Sequence, residues 1–100
     1  MRILLTAAAV ADIEHVGDYI AKDNPERAVS YITELEHRIA QFGTLPQGGR
    51  LRPEWGAQVR STPFGSHLIV WRTAGDTVEI LRIVHGSRDL TALFRKEPLE

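Results

Sequence analysis

A chain of 100 residues and 11.2 kDa has room for one domain and one core of its own, which excludes a multi-domain enzyme. Hydrophobic residues at 43% and charged residues at 25%, with eight Gly and five Pro, are ordinary globular values and exclude a low-complexity or collagenous chain. The absence of Cys excludes a disulfide scaffold, a thiol nucleophile and a cysteine zinc site, and suits a cytoplasmic location. No run approaches the roughly 20 apolar residues of a membrane helix, and Asp12 and Glu14 interrupt the apolar N-terminal stretch too early for a signal peptide, so neither membrane insertion nor export is expected.

The net charge of −1 hides an asymmetry. Residues 1–43 carry four basic and seven acidic side chains, residues 44–100 eight basic and six acidic, and seven of those eight cations are Arg. Arginine suits sites where a planar fork meets phosphate, carboxylate or an aromatic face. The excess is nevertheless that of a solvated surface, well short of the basic stripe of a nucleic-acid binder.

In chain order, Met1–Leu5 reads as a short apolar strand. Thr6 then caps a helix from about Ala7 to Lys22, whose apolar positions Val10, Ile13, Val16 or Gly17, and Ile20 step by three or four and leave Asp12, Glu14, His15 and Asp18 outside the stripe. Gly17 inside this helix costs about 1 kcal/mol against alanine, which suggests a close approach of the next helix. Asn24-Pro25-Glu26 supplies a capping side chain, a proline at the first helical position and a carboxylate near the positive helix end. The second helix buries Ala28, Ile32, Leu35, Ile39 and Phe42 and stops at Gly43, making an antiparallel hairpin with the first.

Pro46, Gly48, Gly49 and Pro53 make Thr44–Glu54 an irregular loop, carrying Arg50 and Arg52 and long enough to suggest a role. Three strands follow, Ala57–Thr62, Ser66–Thr73 and Thr77–His85, the last two joined by a Gly75-Asp76 turn. Counting outward from that turn pairs Ala74 with Thr77, Arg72 with Glu79, Val70 with Leu81 and Leu68 with Ile83. One surface then carries Leu68, Val70, Leu81 and Ile83 and suits the helical stripes; His85 falls on this side too. The other carries His67, Ile69, Trp71, Ile80, Arg82 and Val84. A two-layer α+β domain spanning residues 1–100, with its helical hairpin on one face of a small, mainly antiparallel sheet, leaves that second surface open, and the exposed apolar patch calls for a partner.

Ser66 beside His67 and Ser87 beside His85 lack any nucleophile elbow and read as turn and strand-end residues. His15, His37, His67 and His85 lack metal-ligand spacing, and neither a P-loop nor GxGxxG occurs, so no metal and no cofactor is expected. What remains is the set Arg50, Arg52, Arg60, Arg82 and Arg88. Arginines with a histidine can cleave RNA without metal, and can equally meet a partner's carboxylates or water.

The order of these elements, with VRS at 59–61, PFGSHLIVWR at 63–72, ILRIVHGSRDL at 80–90 and the Asn24-Pro25 break, resembles the RelE/ParE toxin superfamily over nearly the whole chain, and ParE more closely. In the nuclease branch, RelE-like toxins cut mRNA in the ribosomal A site; that reading puts Arg60, Arg82, His85 and Arg88 in the site. Its departures are plain: the only tyrosines, Tyr19 and Tyr31, lie in the helices, and beyond Arg88 only Lys96 could replace a tail acid/base. ParE-like members lack the nuclease set and poison DNA gyrase, blocking replication. The resemblance therefore implies a non-enzymatic toxin of a type II toxin–antitoxin system, of the kind that stabilises plasmids, with Arg50, Arg52, Arg60 and Arg88 toward the target. It also implies a ParD-like antitoxin whose ribbon-helix-helix domain reads operator DNA and whose C-terminal segment wraps the toxin, here over Ile69, Trp71, Ile80, Arg82 and Val84. An inert antitoxin-binding homologue is the third reading.

Overall fold

A computed structural model describes residues 1–44 and 48–99. The strand β1 (Arg2–Leu5) leads into α1 (Ala7–Ala21), where the Thr6 side chain accepts from the Ala9 amide as the helix cap. Asn24 does the same for the Arg27 amide at the start of α2 (Pro25–Gln41), with Pro25 at the first position as expected. The chain continues as β2 (Arg50–Leu51), a 3₁₀ turn at Pro53–Trp55, β3 (Val59–Phe64), β4 (His67–Ala74), β5 (Thr77–His85) and α3 (Leu90–Lys96). The predicted loop therefore contains a short strand and a helical turn; its residues 45–47, Pro46 included, lie outside the described residues.

The five strands run in the order β1-β5-β4-β3-β2. β1 lies parallel to β5 and every other pair is antiparallel. The Gly75-Asp76 turn, Gly75 taking φ +62°, closes the β4–β5 hairpin, and Ala74–Thr77 and Arg72–Glu79 pair as the sequence predicts.

The predicted register holds as far as Trp71–Ile80 and then fails: Val70 pairs with Arg82, so Leu81 is an extra residue, a β-bulge, and Leu68 meets Val84 instead of Ile83. The bulge puts Ile80 and Ile83, three residues apart, on the same face. Ile69, Trp71, Val78, Ile80 and Ile83 pack against Ala9, Leu35, Ile39 and Phe42 of the helical hairpin, the rings of Phe42 and Trp71 stacked at 4.6 Å. The predicted faces are thus exchanged: the Trp71 surface is the one the hairpin covers. A large aromatic fits there because its indole N–H finds the Thr62 hydroxyl at 3.2 Å while its ring is fully buried.

Nor is the opposite face open. Leu90, Leu93 and Phe94 of α3 pack on Val59, Leu68, Val70, Leu81 and Val84, and Trp55 closes edge-on against Phe94 at 5.0 Å. The molecule has three layers where the sequence reading has two. Seven residues of helix suffice because Asp89 caps the Ala92 amide and the apolar side chains at 90, 93 and 94 form one stripe. Gly17 is not a close-approach residue: a Cβ there would meet the Ile32 side chain at 3.6 Å, an ordinary contact.

Candidate functional site

The bulge at Leu81 organises the first candidate region. β1 ends opposite Ile80, and the start of α1 takes over the edge of β5 from there. The Thr6 amide donates to the Ile80 carbonyl at 3.1 Å and the Thr6 hydroxyl to the Leu81 carbonyl at 2.9 Å. The Ile83 amide donates to Oδ2 of Asp12 at 2.9 Å. Two side chains thereby satisfy backbone groups that the bulge takes out of the ladder.

Asp12 also grips Arg82. The Nε donates to Oδ2 at 2.8 Å and Nη2 to Oδ1 at 3.1 Å, a two-pronged pair whose side chains are 15% and 12% exposed. Glu97, after α3, stands at 3.5 Å from Nη1. The hydrogen bonds from Asp12, offset in part by burial, hold the guanidinium above its ordinary pKa. Arg82 is therefore a tie between α1, β5 and the C-terminal segment, and the sequence reading that offers it to a partner or to RNA is corrected. The same holds for Ile69, Trp71, Ile80 and Val84, which are at most 3% exposed and belong to the chain's own core.

The loop arginines split. Arg52 donates through Nε to the Ser61 hydroxyl at 2.9 Å, lies 3.6 Å from Glu54 and stacks over the Trp55 ring at 4.6 Å, which fixes the turn against β3. Arg50 is exposed and registers opposite Ser61, on the α3 side of the sheet, whereas Arg60 registers opposite Trp71, on the hairpin side. Arg88 is exposed in the turn before α3 and borders a shallow hollow with Lys96 and Glu97. The four predicted target-facing arginines thus do not share one surface. The predicted nuclease set is not brought together either: β4 separates Arg82 from Arg60, two strand spacings or about 10 Å of backbone.

At the end of the sheet where β3 turns into β4, Tyr31 of α2 reaches the Phe64 carbonyl at 3.2 Å and Nδ1 of His67 at 2.8 Å. Gly65 makes the approach possible, since with φ +56° a Cβ there would stand 2.7 Å from the Tyr31 oxygen. Burial, and then the neighbouring His85, hold His67 below the ordinary imidazole range, while burial raises Tyr31. His85 bonds Ser87, its Nδ1 2.7 Å from the hydroxyl. Among the described residues no group of three His, Asp or Glu side chains is placed to hold a metal ion, and no helix is long and apolar enough to cross a membrane.

Sequence reasoning missed Asp12 and Tyr31, and saw Thr6 only as a helix cap; each acts on a residue at least 33 positions away. Their sequence signal is only that of polar groups on amphipathic helices. For α3 a usable signal exists, the Asp89 cap followed by apolar residues at 90, 93 and 94.

Residues 3–90 match the family described as the ParE toxin of type II toxin-antitoxin systems, parDE. Proteins called Toxin ParE1 from two strains of Mycobacterium tuberculosis are 31% identical over 91 residues, covering 89% of this chain and 93% of theirs. A solved structure titled the chromosomal ParDE TA system from P. aeruginosa superposes with a TM-score of 0.74 at 24% identity, over 85% of this chain and 95% of the other, a likeness of fold. With the family match spanning β1 to the first residue of α3 and the curated relatives spanning almost the same length, the chain belongs to the ParE toxin family of type II toxin–antitoxin systems.

Proposed function

We propose that this toxin inhibits DNA gyrase and blocks replication in the cytoplasm, without catalysis of its own, and that direct binding of a ParD-like antitoxin silences it. The observation that carries the non-enzymatic reading is the Asp12–Arg82 grip. An arginine held by two bonds to an internal carboxylate is poorly placed to stabilise charge on a scissile phosphate. Target contact falls to the exposed cations Arg50 and Arg88, while Arg52 fixes the turn beside Arg50 and Arg60 lies on the opposite face of the sheet. The antitoxin's surface differs from the sheet face predicted from sequence. Apolar side chains exposed on the described surface include Leu4, Tyr19, Val29 and Leu51, and a wrapping segment would cover such positions.

The test is induction of the chain alone in bacteria with thymidine and methionine incorporation followed in parallel, joined to a gyrase cleavage assay with the purified protein. Early loss of DNA synthesis with trapped gyrase–DNA complexes supports the proposal. Early loss of translation with cleaved mRNA replaces it with RNA cleavage, and loss of neither leaves an inert partner-binding homologue.

A further inference from the structure

Three imidazoles from three elements meet at one end of the sheet. His15 of α1, His67 at the start of β4 and His85 at the end of β5 line, with Val16 and Tyr19, a mostly apolar hollow of about 250 Å³. The rings of His67 and His85 lie edge to face with centroids 5.6 Å apart. The sequence reading finds no ligand spacing among the histidines, and the fold brings these three to one hollow.

Two of the three imidazoles are hydrogen-bonded within this end of the fold, His67 to Tyr31 and His85 to Ser87. The Ser87 amide donates to Nδ1 of His85 at 3.2 Å, and an amide N–H can only donate, so Nδ1 is an acceptor and the neutral ring carries its proton on Nε2. A proton on that nitrogen would face the amide, and the Ser87 hydroxyl, 2.7 Å from the same nitrogen, would accept it, so charging His85 exchanges the amide bond for one to the hydroxyl. Tyr31 has one proton, shared in reach between Nδ1 of His67 and the Phe64 carbonyl, so it adapts to either state of His67. The remaining groups around the cluster are Tyr19 from α1 and, behind Tyr31 on α2, Arg27 at 5.2 Å from the tyrosine ring, itself held by Glu34. Arg38 lies over the Phe64 ring on the β3 side. Among the described residues no carboxylate pairs with any of the three imidazoles.

We propose that His15, His67 and His85 form an acid-sensitive latch: neutral, they let the tip of the helical hairpin close on the ends of β4 and β5, and charged, they force that end of the molecule apart. Two like charges at the His67–His85 spacing disfavour the doubly charged state by about threefold in a water-like surrounding and about a hundredfold in a protein-like one. Burial of His67 works in the same direction.

The latch is tested on the purified full-length chain by amide hydrogen exchange at about pH 7.5 and about pH 5.5, either side of the ordinary histidine range, with rates corrected for the intrinsic pH effect. Histidine ring titrations by NMR accompany it in wild type, His85→Gln and His15→Gln. Acid should lower protection of the second half of α1, the start of α2 and the ends of β4 and β5 about tenfold relative to the central strands. His67 should titrate higher in His85→Gln, with a smaller acid loss. A uniform change across the sheet, or His67 titrating identically with and without His85, overturns the proposal. If His85→Gln fails to fold, the exposed His15→Gln variant decides by whether it narrows the local acid loss.

Discussion

Replacing Asp12 with Ala removes three bonds at once: the two from Arg82 and the one from the Ile83 amide. The guanidinium is left largely buried, with Glu97 at 3.5 Å as its charged neighbour among the described residues, and the bulge amide is left without its acceptor. Breaking a buried ion pair from one side costs about 3–5 kcal/mol, and the stranded amide accounts for about 1–3 kcal/mol of such a loss. Glu97, half exposed and able to follow the guanidinium, brings the expectation to the lower end, about 3 kcal/mol. In a domain of this size that lowers the melting temperature by roughly 12–24 °C. The assay is urea unfolding of wild type, Asp12→Ala, Arg82→Ala and the double variant, closed as a cycle. A coupling of about 2 kcal/mol or more is expected, because either single change already breaks the pair. Asp12→Asn, which keeps an acceptor for the Ile83 amide, should fall between wild type and Asp12→Ala. Additive losses, or an Asp12→Ala cost below about 1 kcal/mol, would show that the pair does not hold the bulge and would return Arg82 to the list of available surface cations.

Gly17→Ala should stabilise the chain by about 0.5–1 kcal/mol in the same assay, since its new methyl meets Ile32 at ordinary contact distance inside a helix. Gly65→Ala should cost about 1–3 kcal/mol, from its positive φ and the clash with the Tyr31 oxygen, and Tyr31→Phe should relieve part of that cost in the double variant. Phe94→Ala should cost about 3–5 kcal/mol and shift the tryptophan fluorescence as Trp55 loses its edge-on neighbour; an unchanged protein would mean that α3 does not cover the sheet. For pH, His67 is held below its unfolded value, so between the two values the unfolded chain binds more protons. Its contribution is therefore complete above about pH 6.5 and is lost as the pH falls through that value toward the folded one, and His67→Gln should flatten unfolding free energy over that window.

The helical hairpin was legible because its signals are local. Thr6 and Asn24 as caps, Pro25 and the three-and-four spacing of Leu35, Ile39 and Phe42 need no knowledge of distant partners. The Gly75-Asp76 turn and its first cross-strand pairs were legible for the same reason. Period-two counting then failed at Leu81, because the groups that make a bulge tolerable there belong to Thr6 and Asp12, about 70 residues away in sequence. One unseen extra residue moved Ile83 and Val84 to opposite faces. The exchange of faces followed from a second nonlocal fact, that α3 supplies its own cover, leaving the larger hairpin surface for Trp71. Arg82 shows the same limit in a candidate site: an arginine on a strand reads as available until its carboxylate is located on another element.

The parallel pairing of β1 with β5 has a consequence for how the molecule comes into being. Residues 2–5 find their strand partners only at 77–80, and the bulge is closed by contacts between residues 6–12 and 80–83. A chain emerging from the ribosome can wind the α1–α2 hairpin early, and Met1 and Ile3 can reach Gly43 beside the end of α2, yet residues 2–5 have no strand partner until residues 77–80 have left the tunnel. Such sequence-distant closure makes folding slow relative to a helical bundle of equal length. The sheet edge therefore forms late relative to the hairpin, and in that interval the apolar hairpin stripe is exposed to whatever is nearby.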